Sequence, residues 1–392
     1  MLAGCSLQKH YGVPTHVVAV QGNCDKSRIV ELGAILDLSG SEGRLGQEYL
    51  SGLEMAVHQI DSSNGVLKNR SCLEVLYKDD QGSTQVGDRA ILDMADTEAA
   101  TFLAAPPESA VIQFAGADLG KAGVTAISFS PLDETYRPKG YPLTYPVVSS
   151  ASTQAGEMAS YARSHHWSSV AVVALADPAG RDGLKAFLAD AARKGLTVTG
   201  QETIPPSGKG AAAAIGSLRS GNPAAVAVLA DTDGIAGVLS ARSQAGWSVP
   251  VLATQAAVDG PVVAQIGAAG LNGVYVVVPA GAVTGSTSSS SSGPSASGDV
   301  TSFRNQLLRW LHVSHLTGSI LPYAEAYDGA EMFAYVANSV NSIHTGDIQT
   351  FLNNANYQGL LASYSYTASS HSGVPGDQDA IVPASRLNNG LL

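Results

Sequence analysis

Cationic side chains are scarce in this chain. Its 392 residues carry 22 Lys+Arg against 33 Asp+Glu, a formal net charge of −11, so a broad basic surface for nucleic acid or anionic lipid is excluded. The acidity reads mainly as solubility. No apolar run reaches the roughly 18 residues that a membrane span needs. Motifs of common chemistries are missing as well: there is no H-E-x-x-H, no C-x-x-C, no G-x-S-x-G and no G-K-S/T, so metal, thiol, serine-elbow and P-loop chemistry lack their usual carriers.

Cysteine is sparse too, with three in all, Cys5, Cys24 and Cys72. The opening Met1-Leu2-Ala3-Gly4-Cys5 resembles a bacterial lipobox, in which small residues precede a cysteine that becomes lipidated. On that reading Cys5 is the lipid attachment site; the alternative is an ordinary unlipidated start. Cys24 and Cys72 each lie just before an apolar, strand-like run. Sequential strands of a βαβ unit usually neighbour one another, which puts both thiols at the amino ends of adjacent parallel strands. A disulfide there fits an oxidising, extracytoplasmic setting; the alternative is two buried, inert thiols.

What is present is a well-packed globular composition, 45% hydrophobic with 42 Gly, long enough for two domains that each bury a core. The organising stretch is 29–65. It opens with a β-branched run ending near Asp37, breaks into a loop bearing Gly40, Gly43 and Gly46, and continues with Tyr49, Leu53, Val57 and Ile60 on one helical stripe. The same strand, loop and helix pattern recurs, with strands at 73–79, 100–104 and 124–129 and helices at 85–96 and 109–122. Tyr136 to Pro146 interrupts the rhythm. A second series then runs from a helix at 152–165 to a strand at 273–279. Alternation at this spacing implies parallel strands with right-handed crossovers, hence an α/β fold of two doubly wound Rossmann-like lobes. Residues 6–28 are polar and aperiodic and read, with Cys5, as anchor and tether over 1–28. Thr284 to Asp299 is a Ser/Gly-rich stretch expected to be a flexible insertion. Helical patterns follow around Phe303–Leu311, Tyr323–Val340 and Asp347–Asn354, and a last apolar run spans Ala380–Val382.

None of the candidate constellations argues for catalysis. The loop glycines have the spacing G-x-x-G-x-x-G, which is neither the dinucleotide fingerprint nor the P-loop. His165 and His166 end a helix, where cationic side chains complement the dipole. Asp79-Asp80 follow a strand and read as turn caps, with no partner base beside them in sequence. The expectation is a protein that is not an enzyme and holds no cofactor and no metal.

Taken in order, ELGAILDLSG, GRLGQEYLSGLEMAVHQIDSSNGV, LEVLYKDDQG, KAGVTAISFS, VAVVALADPAG, GLKAFLADAARKGLTV, PAAVAVLA, SQAGW and AYDGAEMFAY resemble the branched-chain amino-acid (Leu/Ile/Val) type of periplasmic solute-binding protein of ABC transporters. The similarity runs from about Ile29 to the C-terminus. It implies the type I periplasmic binding protein fold, two α/β lobes joined by a three-segment hinge. The crossings are expected near Tyr145–Val148, Pro279–Ala282 and Phe351–Gln358, which gives lobe one as 29–147 plus 280–352 and lobe two as 148–279 plus 353–392. It also implies a cleft that closes around a small solute.

Residue by residue, the resemblance places ligand contacts at Arg44 and Leu45 in the first loop and at Pro107, Glu108 and Ser109 in the loop before the helix at 109–122. Further contacts fall on Ser130, Pro131 and Leu132, where relatives have Ser-Ala-Thr, and on Ala179, Gln255 and Tyr327. Ala179 stands for a family tyrosine, and Gln255 stands near a family acid that pairs with the ligand ammonium. Those departures count against a free amino acid, since an unpaired ammonium keeps its desolvation cost; the expected solute is less zwitterionic, aromatic or peptide-like. The resemblance further implies an extracytoplasmic, lipid-anchored monomer delivering its solute to an ABC permease, touching the membrane only through that anchor and binding no nucleic acid. The alternative is a sensory module of the same fold signalling to a membrane partner.

Overall fold

Runs of Val, Ile, Leu and Ala with few polar interruptions are the composition of strands buried on both faces. They assemble into two parallel-rich sheets in the computed structural model of the chain, which describes residues 13–18, 20, 22–96, 102–105, 108–284 and 300–392. In the first sheet β1 (His16–Val18) and β2 (Asp25–Leu36) lead into α1 (Gly43–Ser62), followed by β3 (Ser71–Asp79), α2 (Thr84–Asp96) and β4 (Phe102–Ala105). Then come α3 (Ser109–Ala122), β5 (Thr125–Ser128) and β6 (Thr144–Pro146). The order is β1-β3-β2-β4-β5-β6, parallel throughout except for β1, which lies antiparallel on β3.

The second sheet follows from α4 (Ala151–Ser164), β7 (Ser169–Leu175), α5 (Pro178–Arg193), β8 (Thr197–Ile204), α6 (Ala211–Ser220) and β9 (Ala225–Leu229). It continues through α7 (Thr232–Gln244), β10 (Val251–Ala253), α8 (Gly260–Gly270) and β11 (Val274–Pro279). The chain then returns to lobe one with α9 (Val300–Trp310), α10 (Leu321–Val340) and α11 (Thr345–Leu352), forms the small pair β12 (Asn356–Gln358) and β13 (Ser363–Ser365), and ends with β14 (Asp379–Pro383). The second order is β14-β11-β10-β9-β7-β8, with β14 antiparallel to β11. Helix α10 packs along α1, and a buried cluster from Leu32 through Leu53 and Phe333 continues into the second lobe. Among the described residues no helix is long and apolar enough to cross a membrane.

Two expectations change here. The stretch read as tether already belongs to the sheet: β1 covers β3, His16 stacks on Tyr77 at 5.1 Å, and β2 begins at Asp25. The cause is Lys78. Its fully buried ammonium pairs with Asp93 at 2.6 Å and donates to Val13 O and Thr15 Oγ1, so residues 13–15 satisfy a charge inside the lobe. Cys5 lies outside the described residues, as does 285–299 of the Ser/Gly-rich insertion; Thr284 at its start donates through its N–H to Leu392 O. Cys24 and Cys72 are joined in a disulfide at the start of the β2–β3 pair, with Cα atoms 5.1 Å apart.

The third crossing also lies further along than 351–358. Phe351 and Leu352 end α11, which stays on lobe one through Gln349 Nε2 donating to Pro142 O. Residues 359–371 still bond to that lobe: Asp328 of α10 accepts from Leu360 N, Leu361 N and Tyr364 OH, and Tyr366 OH donates to Pro146 O. The chain passes to the second sheet between β13 and β14. Gly281 N donates to Leu361 O, so the three crossings are tied to one another at a single node.

Candidate functional site: an acidic cleft between the lobes

Loops that leave the carboxyl ends of parallel strands in both sheets line one cavity of about 370 Å³. Open α/β sheets bind ligands at that edge, because helix N-termini with unpaired N–H groups converge there. In lobe one the wall comes from the β2–α1 loop, the start of α3 and the loop after β5. In lobe two it comes from the loops after β7, β8, β9 and β10.

The β2–α1 loop is held by its own carboxylates. Asp37 accepts from Gly40 N and Glu42 N, and Asp79 accepts from Leu38 N, Gln81 N and the Ser39 hydroxyl. Asp80 Oδ1 accepts from Gly82 N. Asp37, Asp79 and Asp80 approach closely enough to suggest a cation site, yet most of their oxygens serve these turns. Gly46 sits where α1 doubles back on β2; a Cβ there would fall inside the Asp37 carbonyl oxygen, so its place is steric rather than a phosphate cradle.

Of the residues expected at the site, Leu45, Glu108, Ser109, Pro131, Ala179 and Gln255 stand in the cavity wall. Four do not. Arg44 is half exposed and reaches Glu48 one helical turn along, at 3.7 Å. The Ser130 hydroxyl accepts from Leu132 N, which turns Leu132 down into the core beneath α2 and α3. Tyr327 donates to Gln59 Oε1 and packs edge-on against Phe303. It misses the cleft because Glu325, two residues earlier and so about 200° round α10, is the residue that faces the lobe junction. Pro107 lies outside the described residues.

Apart from Glu108, the sequence reading missed the acids. Asp37, Glu42 and Glu108 from lobe one and Asp177, Asp231, Asp233 and Asp259 from lobe two line the cavity, and among the described residues no Lys, Arg or His does. Five of these occupy the N-cap positions of α1, α3, α5, α7 and α8. Asp177 and Asp231 cap, accepting from Gly180 N at 2.7 Å and Gly234 N at 3.0 Å. Glu42, Glu108 and Asp259 make no such bond. Burial, reinforced by Asp231, Glu108 and other carboxylates nearby, pushes Glu42 well above the usual carboxylate range. Burial does the same to Glu108 and Asp259, and lifts Asp231 to about 7. The signal available in the sequence was an acid directly before each helix start, five times over, after a strand.

Contacts cross the cleft. Ser109 Oγ donates to Asp177 Oδ2 at 2.5 Å and accepts from Ala179 N at 3.3 Å. Glu325 accepts from Tyr49 OH of α1 at 2.7 Å and from the Gln255 amide of lobe two at 2.5 Å, with burial raising its carboxyl to about 7. Tyr49 stacks on Phe129 at 4.7 Å, and both rings line the cavity.

A family model described as periplasmic binding protein matches residues 29–376. A search of curated protein sequences finds no significant match. Among solved structures the chain is similar to a type 1 periplasmic binding protein from Bordetella pertussis Tohama I, at 16% identity and TM-score 0.76 over 90% of this chain and 96% of that one. It is similar to the branched-chain amino acid transporter substrate-binding protein LivJ from Streptococcus pneumoniae, solved with isoleucine, at 16% identity and TM-score 0.71 over 91% and 99%. A third is an ABC-transporter solute-binding protein from Rhodopseudomonas palustris BisB5, solved with 3,4-dihydroxybenzoic acid, at 13% identity and TM-score 0.74 over 88% and 90%. At these identities the likeness is one of fold.

Proposed function

The chain belongs to the periplasmic binding protein family, whose members bind solutes without transforming them, and from that premise we propose that it is the extracytoplasmic capture subunit of an ABC importer. It holds a small organic solute between its lobes and presents the closed form to a membrane permease, tethered through a lipid on Cys5. The observation that carries this reading is the cavity at the facing carboxyl edges, bridged by Ser109–Asp177 and Gln255–Glu325. Bonds that exist only when the lobes approach are the device by which closure is stabilised and read. The Cys24–Cys72 disulfide agrees with an oxidising compartment.

The solute differs from those of the two liganded relatives. Isoleucine and dihydroxybenzoate carry a carboxylate, and among the described residues this cavity offers it no cationic side chain while presenting seven acids. The stacked Tyr49 and Phe129 and the apolar Leu45 favour a solute with a hydrocarbon or ring body. Native mass spectrometry of protein purified without refolding tests the reading: the expected spectrum contains a one-to-one complex with a small molecule, or acquires one after incubation with a metabolite extract. A chain that stays empty in both refutes it.

A further inference from the structure

We propose that the solute captured here is an organic cation with an apolar body, an aliphatic amine, diamine or quaternary ammonium compound without a carboxylate group. This rests on the capture reading above and names its substrate class.

Three of the wall's acids stand at helix starts without capping them, and each keeps a shielded oxygen unpartnered, although the other oxygen of Asp259 accepts from the Thr232 hydroxyl at 3.4 Å. Glu42, at 9% exposure, keeps Oε1 without a hydrogen-bond partner, and Asp259, at 5% exposure, keeps Oδ1 without one. Glu108 Oε2 is likewise shielded and unpartnered. A buried carboxylate left without a counter-charge is among the more costly arrangements a fold can hold. Capping does not explain it, because Asp177 and Asp231 show what capping looks like in the same wall.

The charge pattern selects the sign of the ligand. Helix N-termini ordinarily attract anions. In this cleft the protein's own carboxylates sit at five of them, so an anionic solute would meet charges of its own sign, and a carboxylate on the solute would find no Lys, Arg or His among the described residues of the wall. An ammonium, by contrast, finds acceptors from both lobes and is most stabilised when the lobes close on it.

The remaining wall selects the body. Val111, Leu175 and Leu229 lie between the acids, and Tyr49 and Phe129 present ring surface, which suits methylene groups and the face-on approach of an alkylammonium. A divalent metal ion wants six or more oxygens and keeps its waters; a cavity of about 370 Å³ with this much apolar wall is the wrong shape for one.

Calorimetric titration of the full chain with putrescine, choline, isoleucine, 4-hydroxybenzoate and calcium chloride tests the assignment. Putrescine or choline is expected to bind with a dissociation constant at least about tenfold below that of the other three. Glu42→Gln and Asp259→Asn are each expected to weaken that binding about tenfold while raising the Tm of the unliganded protein toward alkaline pH, where the amide replaces an acid that would have to ionise without a counter-charge. Tight binding of isoleucine or 4-hydroxybenzoate would overturn the cation assignment and leave solute capture standing. Calcium binding alone would replace it with a metal site, and failure of both amines would end it. A lowered Tm in Glu42→Gln with amine binding intact would make that acid a structural cap and remove it from the site.

Discussion

Ser109 and Asp177 meet across the cleft: the serine hydroxyl at the start of α3 donates at 2.5 Å to the carboxylate that caps α5 in the other lobe. One hydroxyl thus links the helix starts of two lobes. Because Asp177 also holds Gly180 N, the bond costs the second lobe no rearrangement when it forms.

Ser109→Ala should therefore loosen closure without disturbing either core. Loss of a charge-assisted bond of this kind is worth about 1.5–3 kcal/mol, so solute affinity is expected to fall by about tenfold or more. Small-angle scattering should give a larger radius of gyration for the variant in the presence of solute. An unchanged radius and affinity would show that the contact plays no part in closure.

The unliganded protein should lose stability as pH rises from about 5 to about 8. Asp80, Asp231 and Glu325 are raised to about 7 by burial, and burial also holds Glu42, Glu108 and Asp259 well above the usual carboxylate range. The folded state then binds these protons more tightly than the unfolded chain, whose carboxylates titrate near 4. Their contribution is fully present below that value and is lost as pH passes through about 7. Asp79, which Ser39 and backbone N–H groups hold below its usual value, acts in the opposite sense but only in stronger acid. Melting temperatures across this range, with and without solute, provide the check. A flat or rising profile without solute contradicts the electrostatic account of the cleft.

Reduction of Cys24–Cys72 should destabilise lobe one. The bridge closes a loop of 48 residues, for which the chain-entropy model gives about 4 kcal/mol. Urea unfolding with and without dithiothreitol should show a clear drop in midpoint, reproduced by the double variant Cys24→Ser/Cys72→Ser. Superimposable curves would mean that the bond adds nothing to the native state.

Gly46→Ala should damage the first loop out of proportion to its size. The added methyl has no room against the Asp37 carbonyl, so α1 must move away from β2, at a cost of about 1–3 kcal/mol. Since Glu42 and Leu45 ride on the same turn, solute affinity should fall together with Tm. A variant with wild-type Tm would show that the turn is more plastic than its packing suggests.

The alternation of strands and helices was legible because buried parallel strands and amphipathic helices carry different periods, and the boundaries of β7 and α3 follow directly from them. Lys78–Asp93 was not: a lysine inside an apolar strand gives no sign of the aspartate that neutralises it from the next helix. At the site, Leu45 lines the cavity while its neighbour Arg44 turns to Glu48, since one residue along a helix is a turn of about 100°. The acids were hardest. Asp177-Pro178 and Asp259-Gly260-Pro261 are plain helix-start signals, and each alone reads as a cap. That they face Glu42 and Glu108 depends on two sheets turning their carboxyl edges together, which no local pattern encodes.

The antiparallel strand β14 gives the molecule an order of assembly. Its residues Ala380–Val382 pair with Val276–Val278 of β11, so that edge of the second sheet stays open until the chain has been made as far as β14. An uncovered edge is a template for pairing with another chain, and the late-arriving strand seals it. Molecules truncated before Asp379 should consequently aggregate through β11, the strand that β14 covers.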